Sequence, residues 1–151
     1  MNPIIIIGAG MAAYSLAREF RKLDKESPLM LVTSDDGAAY AKPMLSNAFA
    51  LGKAAAQLVS GSAQQMAAQL GATVLTHTLV QRIGTAERMI DTDHGQFRYS
   101  QLVLALGANP IRLPLRGDAA GGVLSVNNLA DSAAMRARLA SAGGSAHVAI
   151  L

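Results

Sequence analysis

The chain has 151 residues, of which 51% are hydrophobic and 15% are charged, a composition typical of a folded globular protein. Aromatic residues make up only 4%, there is no Trp, and the net charge is +3, so neither a base-stacking surface nor a basic nucleic-acid footprint is indicated. The chain has no cysteine, which excludes disulfides, thiolate metal sites and a cysteine redox relay within it. No apolar run approaches the ~20 residues of a membrane helix, and the start lacks the features of a secretory signal. We therefore expect a soluble, cytoplasmic protein.

The first 23 residues carry the clearest pattern. Four isoleucines, Ile4–Ile7, suit a strand buried on both faces, because branching at Cβ disfavours a helix. Gly8 permits a tight turn after the strand, and Gly10 lets a pyrophosphate come close to the backbone. Residues Met11–Leu23 have the apolar spacing of an amphipathic helix. Ala13 is the small residue at which this helix would pack closely on the strand.

Strand, glycine turn and helix together form the first half of a dinucleotide-binding βαβ unit. The N–H groups of the first helical turn, with the positive end of the helix dipole, would hold the phosphates without any charged side chain. The alternative is a small-residue turn that merely joins a strand to a helix.

A second short strand, Leu29–Thr33, is predicted to end in an acidic turn. A carboxylate just beyond the second strand is where a ribose-binding group belongs, so Asp35 would accept hydrogen bonds from two adjacent hydroxyls. Asp35 lies 27 residues after Gly8, a longer gap than the usual ~20. A turn with the carboxylates of Asp35 and Asp36 in solvent therefore stays open as an alternative.

The next segment contains a lysine followed by a proline. Pro43 biases Lys42 toward an extended conformation, from which its ammonium could face an anionic or electron-rich ring, although most such lysines are simply solvated. The alanine-rich residues Ala50–Gly61 are predicted to be a surface excursion. Ser62 through Leu70 is predicted to be a helix, with Ser62 as its N-cap and Gly71 just past its end.

Five further stretches have the patterns of strands. The first is expected to be the third parallel strand, the next three an antiparallel meander, and the last a buried strand. They are Ala72–Leu75, Thr78–Ile83, Arg88–Thr92, Gln96–Tyr99 and Leu102–Leu106. Gly107 follows the last of them in a second glycine turn, at the edge where open α/β sheets bind ligands.

The last third of the chain is predicted to contain a helix from Asn128 to Ala140 and a strand from His147 to Leu151. A new apolar strand after a glycine pair suggests the start of a second βαβ unit. We therefore expect an N-terminal fragment of a longer protein, with one domain over residues 1–117 and the truncated start of another over 118–151. A complete small domain, whose last strand joins the first sheet, is the alternative.

Together these pieces resemble the flavoprotein reductases with two dinucleotide-binding domains, and most closely their rubredoxin–NAD reductase branch from bacterial alkane oxidation. The resemblance covers essentially the whole chain. It is carried by four stretches: Ile-Ile-Gly-Ala-Gly-Met-Ala-Ala at 6–13, Leu-Ala-Arg-Glu-Phe-Arg-Lys-Leu at 16–23, Tyr-Ala-Lys-Pro-Met-Leu-Ser-Asn at 40–47 and Leu-Val-Leu-Ala-Leu-Gly-Ala-Asn-Pro at 102–110.

The resemblance implies an α/β, Rossmann-like FAD-binding unit with a parallel sheet and a small antiparallel meander, followed by the start of an inserted NADH-binding domain. It also implies an oxidoreductase that passes electrons from NADH through FAD to rubredoxin, with no catalytic side chain. Its cofactor-binding positions would be the glycine turn with the first helical turn, the adenosine-ribose residues, a lysine near the flavin, a backbone contact to adenine and a packing glycine. These are Gly8, Ala9, Gly10, Met11, Ala12, Ala13, Ser34, Asp35, Lys42, Val80 and Gly107.

The chain departs from the wider family at two positions. Asn47 stands where many relatives have a second flavin-facing lysine, and Leu106 stands where many have a threonine. Related disulfide reductases place a cysteine pair beside the flavin. A chain without cysteine implies instead a separate one-electron acceptor, either rubredoxin or a ferredoxin.

Two other functions are compatible with the sequence: a nicotinamide-only dehydrogenase and a non-catalytic nucleotide-binding module. The histidines do not suggest a metal enzyme, because His77, His94 and His147 lack the paired spacing of metal ligands.

Overall fold

The structure is a computed structural model that describes residues 1–143 and 146–150. Its strands are β1 (Ile4–Ile7), β2 (Leu29–Val32), β3 (Ala39–Tyr40), β4 (Val59–Gly61), β5 (Thr73–Leu75), β6 (Val80–Gly84), β7 (Met89–Thr92), β8 (Gly95–Arg98) and β9 (Gln101–Leu104). Its helices are α1 (Met11–Leu23), α2 (Met44–Ala50), α3 (Ala63–Leu70) and α4 (Leu129–Ser141). None of the helices in these described residues is long and apolar enough to cross a membrane.

The chain divides into two compact units. The first combines Met1–Tyr40 with Val59–Ala108, and the second combines Ala41–Leu58 with the residues from Asn109 onward. The division at 108/109 falls before the predicted domain boundary at 117/118, which stays a prediction. All of the strands and the helices α1 and α3 lie in the first unit, whereas α2 and α4 lie in the second.

A four-stranded sheet in the order β5-β2-β1-β9 forms the centre of the first unit. All three pairings are parallel, and Ile4 of β1 is in register with Leu29 of β2 and Gln101 of β9. The predicted parallel sheet of an α/β fold is therefore confirmed, with β1 between two neighbours.

The isoleucines of β1 are buried on both faces of this sheet. Ile6 packs in one cluster with Ala13 and Ala17 of α1, while Ile5 and Ile7 pack in the other with residues of the antiparallel sheet. Burial of one such side chain stabilises the fold by roughly 2 kcal/mol. The run of β-branched residues thus places helices on one side of the sheet and antiparallel strands on the other.

The predicted meander is present as the antiparallel sheet β6-β7-β8. Its strands begin and end within two residues of the predicted bounds, because the alternating pattern marks the middle of a strand better than its ends. Ile90 of β7 is fully buried against the parallel sheet.

The structure differs from the sequence prediction in the segment Ala50–Gly61. It is not only a surface excursion, because its last residues form β4, which pairs antiparallel with β3. Ala55–Leu58 forms a 3-10 helix just before it. Strands of two and three residues are too short to leave an alternating pattern in the sequence.

The C-terminal part agrees with the prediction in one element and differs in another. The predicted helix is observed as α4, and its N-cap Asn128 accepts a hydrogen bond from the Asp131 N–H. Residues 147–150 are exposed and form no strand, since none of the described strands pairs with them. Leu151, the last residue of that predicted strand, lies outside the described residues.

The ends of α3 agree with the sequence prediction. Ser62 and Gln65 form a capping box, and Gly71 ends the helix in the left-handed conformation. The guanidinium of Arg21, on α1, then donates hydrogen bonds to the carbonyls of Leu70 at 2.6 Å and Gly71 at 3.0 Å. Arg21 thus satisfies helix-end carbonyls that have no partner inside α3.

We expect Arg21→Met to lower the free energy of unfolding by about 2–3 kcal/mol, because it removes charge-assisted hydrogen bonds and leaves the carbonyls unpaired. Urea denaturation followed by circular dichroism measures the change. Lys22→Met is the matched control: Lys22 forms only an exposed ion pair with Glu19, so its loss should cost less than about 1 kcal/mol. Equal effects of the two variants would contradict this role of Arg21.

Candidate functional site

The carboxyl ends of the four parallel strands meet at one edge of the sheet. Three backbone hydrogen bonds join them just beyond the strands: Gly8 N–H to Val32 O at 2.7 Å, Thr33 N–H to Leu75 O at 2.9 Å and Ala105 N–H to Ile7 O at 2.8 Å. The turns that follow β1, β2, β5 and β9 therefore start side by side. Ligands of open parallel sheets bind at this edge.

Gly8 is required at this edge by the protein itself. Its φ is +116°, which disfavours residues with a Cβ. A Cβ built at this position would lie only 2.2 Å from the carbonyl oxygen of Ala105, just after β9. Gly8 thus allows both the tight turn and the close approach of the neighbouring chain segment.

Gly10 has a different environment. It is the N-cap of α1 in extended conformation, with φ −79° and ψ −171°. Within the described part of the chain, no atom from a residue beyond its chain neighbours and the adjoining helix backbone lies within 4 Å of the position that its Cβ would take. The backbone therefore gives no reason for a glycine here, whereas a ligand that approaches the start of the helix does.

The first turn of α1 is open to such a ligand. Gly10, Met11 and Ala12 are exposed, while Ala9 and Ala13 are buried. The helix carries no side-chain cap and no acidic residue in its first turn, in contrast to α3 and α4, which Ser62 and Asn128 cap. The N–H groups and the positive helix end therefore remain available for an anion, so the residues present fit a diphosphate.

Ala13 is completely buried and packs in the same cluster as Ile6 of β1. A larger side chain at this position would push α1 away from the sheet. This is the packing that the sequence predicts for Ala13, the small residue that follows Gly8 and Gly10 in the dinucleotide-binding pattern.

The acidic turn after β2 has a defined structure. Asp35 is exposed, and its Oδ1 accepts hydrogen bonds from Thr33 Oγ1 at 2.6 Å and from the Gly37 N–H at 2.9 Å. Ser34 and Asp36 are also exposed. The structure therefore has the predicted acidic turn with exposed carboxylates, and the role of Asp35 in ribose binding stays a prediction.

A buried tyrosine joins this turn to α1. The hydroxyl of Tyr14 donates a 2.6 Å hydrogen bond to the carbonyl of Gly37. Burial raises the pKa of Tyr14, and the negative charges of Asp35 and Asp36 raise it further. Tyr14 is not among the site residues predicted from the sequence, although a tyrosine on the buried face of a helix needs a partner for its hydroxyl.

Val80 and Gly107 lie on segments that leave the same edge. The chain after β5 bonds to the turn after β2, through His77 N–H to Asp35 O and Thr78 N–H to Thr33 O, both at 2.8 Å. Val80 begins β6 directly afterwards and packs against the buried cluster of Ile7 and Val32. Gly107 is exposed, and its φ of +69° suits a glycine turn.

Lys42 belongs to the second unit. It is exposed, and its carbonyl accepts a hydrogen bond from the Leu45 N–H at the start of α2. In the same unit, Arg136 of α4 donates a 2.9 Å hydrogen bond to the carbonyl of Ala48 and lies over the ring of Phe49. The predicted approach of Lys42 to a flavin stays a prediction. No group of three or more potential metal ligands occurs within residues 1–143 and 146–150.

We expect alanine to destabilise the fold much more at Gly8 than at Gly10. Gly8→Ala should lower the free energy of unfolding by on the order of 3 kcal/mol, because it adds backbone strain and a steric clash. Gly10→Ala should change it by less than about 1 kcal/mol, since the backbone conformation is ordinary and the space is open. Urea denaturation of the two variants measures the difference, and a Gly10→Ala protein as unstable as Gly8→Ala would contradict this account.

We expect the hydroxyl of Tyr14 to stabilise the fold in a pH-dependent manner. Tyr14→Phe should cost about 1–2 kcal/mol near neutral pH, because it leaves the buried Gly37 carbonyl unpaired. The folded pKa lies above the unfolded one, so the advantage of the wild type is complete below about pH 10 and is lost as the pH rises through the folded pKa.

Chemical denaturation of both proteins between pH 7 and pH 11 checks this expectation. Tyr99→Phe, which removes the hydroxyl of another buried tyrosine, controls for the general effect of alkaline pH. A difference between wild type and Tyr14→Phe that stays constant over the whole range would contradict the proposed role.

Comparison with known proteins supports the same fold and family. The family model described as pyridine nucleotide-disulphide oxidoreductase matches residues 2–151. The rubredoxin-NAD(+) reductase of Alcanivorax borkumensis is 44% identical over 137 residues, which cover 91% of this chain and 36% of that protein. The enzyme of the same name from Acinetobacter baylyi is 46% identical over 144 residues, which cover 93% and 37%.

Among solved structures, a chain in the crystal structure of the covalent putidaredoxin reductase–putidaredoxin complex matches with a TM-score of 0.78. It is 27% identical, and the match covers 91% of this chain and 34% of that one. The expected Rossmann-type α/β fold is thus confirmed. The chain spans about a third of the length of the curated relatives it matches, and it belongs to the pyridine nucleotide-disulphide oxidoreductase family.

Proposed function

We propose that this chain is the N-terminal part of a reductase that passes electrons from NADH to rubredoxin or a related small iron carrier, and that residues 1–117 form the first part of its FAD-binding domain. The observation that carries the proposal is the open, uncapped start of α1 at Gly10, where the protein itself gives no reason for a glycine. The names of the two similar curated proteins, rubredoxin-NAD(+) reductase, support the choice of donor and acceptor.

In this proposal the first unit holds the ADP half of FAD. The N–H groups from Ala9 to Ala12 bind the pyrophosphate, Asp35 binds the adenosine ribose, and the backbone of Val80 meets the adenine. Gly107, beyond β9, leaves room for the cofactor to pack against the chain. Ser34 adds a hydroxyl beside Asp35.

FAD supplies the redox chemistry when it is bound, because it can take a hydride and release electrons one at a time. The residues of this chain bind and orient it. The chain contains no cysteine, so no redox-active disulfide forms within these 151 residues. This supports a separate carrier as the electron acceptor.

Two finer parts of the proposal rest on the family resemblance. The carrier would deliver electrons to an alkane hydroxylase, and the protein would work in the cytoplasm, where NADH is supplied. The inserted NADH-binding domain would begin in residues 118–151.

The proposal is tested with the 151-residue chain itself. We expect ADP to bind, because the predicted contacts to the ADP half of FAD lie in the first unit. We expect FAD to be retained weakly or not at all during purification, and NADH not to be oxidised, because the flavin and NADH sites would be incomplete. Calorimetric titration with ADP and FAD, together with absorbance at 340 nm for NADH, measures these outcomes.

Gly10→Ala should weaken ADP binding by about tenfold or more, since a Cβ at this position blocks the close approach of the diphosphate. Gly121→Ala is the matched control, because it also adds a methyl group into open space and lies in the second unit. Rapid NADH turnover by the 151-residue chain would contradict the proposal. Tight binding of NAD⁺ with no competition by FAD would favour the nicotinamide-only dehydrogenase.

A further inference from the structure

The turn after β2 is held firmly by its surroundings. The carbonyls of Thr33 and Asp35 both accept hydrogen bonds from the segment after β5, and Tyr14 holds the carbonyl of Gly37 from the side of α1. Gly37 is buried, and a Cβ added to it would lie 3.0 Å from Ala63 Cβ. The backbone that carries the Asp35 side chain therefore has little freedom to shift.

The two carboxylate oxygens of Asp35 have different surroundings. Oδ1 accepts two hydrogen bonds, one from the hydroxyl of Thr33 and one from the Gly37 N–H. A carboxylate oxygen has about two lone-pair sites, so Oδ1 has no further capacity. Among the described residues, no donor reaches Oδ2 in the hydrogen-bond network of this turn.

We propose that Thr33 is a positioning residue that occupies Oδ1 of Asp35, so that the carboxylate offers only Oδ2, as a single acceptor, to one hydroxyl of an adenosine ribose. This inference rests on the proposed function, because it requires that a ribose binds at Asp35. It revises the sequence expectation that the carboxylate binds both adjacent hydroxyls.

The consequence is that the two ribose hydroxyls contribute unequally to binding. A carboxylate with both oxygens free can bind the 2′ and 3′ hydroxyls together. Here only one of them receives a charge-assisted hydrogen bond, and the other stays near solvent. Oδ2 and the exposed carboxylate of Asp36 also repel a phosphate carried on the 2′ or 3′ hydroxyl of the ribose.

The experiment compares the binding of ADP, 2′-deoxy-ADP and 3′-deoxy-ADP to the 151-residue chain by calorimetry. In the wild type, we expect loss of one hydroxyl to weaken binding by about tenfold and loss of the other by less than about twofold. Thr33→Val frees one of the two acceptor sites of Oδ1, while the other still accepts from the Gly37 N–H. Each carboxylate oxygen can then accept one ribose hydroxyl, so the two deoxy analogues should bind within about twofold of each other. Thr33→Ser keeps the hydroxyl and should keep the wild-type pattern.

Asp35→Asn is a second variant that does not depend on the folding of Thr33→Val. Its amide oxygen still accepts from Thr33 and Gly37, so the turn should survive, while an NH₂ donor replaces Oδ2. We expect it to weaken ADP about tenfold and to abolish the preference between the two analogues. The melting temperature of each variant shows separately whether the substitution destabilises the fold.

The outcomes distinguish a failure of the Thr33 proposal from a failure of the proposed function. If the wild type binds ADP and Asp35→Asn weakens it, but Thr33→Val keeps the unequal pattern, the proposal for Thr33 is wrong and the proposed function stands. The same holds if the wild type penalises both analogues equally. If ADP does not bind the wild type at all, both proposals are overturned.

Discussion

The burial of β1 on both faces is the constraint on which the rest of the first unit depends. Ile6 faces the helices, and Ile5 and Ile7 face the antiparallel sheet, so the strand has to lie inside the sheet. Its central position sets the place of Gly8 beside Val32 and Ala105. The start of α1 and the acidic turn after β2 then lie at one edge because their parallel strands end there.

The fold could be predicted from sequence where the signal is local. The isoleucine run, the spacing of α1 and the cap residues of α3 each indicate their own element, and each is observed. The short β3–β4 ribbon left no such pattern. Residues 147–150 illustrate the opposite error: an apolar stretch indicates a strand, but a strand also needs a neighbour to pair with.

The candidate site was predictable in its residue types but not in its contacts. Gly10 was indicated by its place between an apolar strand and a helix, and Asp35 by its place just beyond the second strand, although its gap from Gly8 is longer than usual. The hydrogen bond of Tyr14 to Gly37 spans 23 residues, and those of Arg21 to the end of α3 span about 50. Such pairs join groups that are common in any protein, so only the folded chain shows which of them meet.

Gly8 and Gly10 are the same residue type, two positions apart, held for two unrelated reasons. Gly8 serves the architecture, whereas in the proposed function Gly10 leaves room for the diphosphate. In a relative that no longer binds the nucleotide, selection would still conserve Gly8, whereas the position of Gly10 would be free to vary. The pair therefore offers a way to tell, from sequences alone, which members of the lineage have kept their cofactor and which have kept only its scaffold.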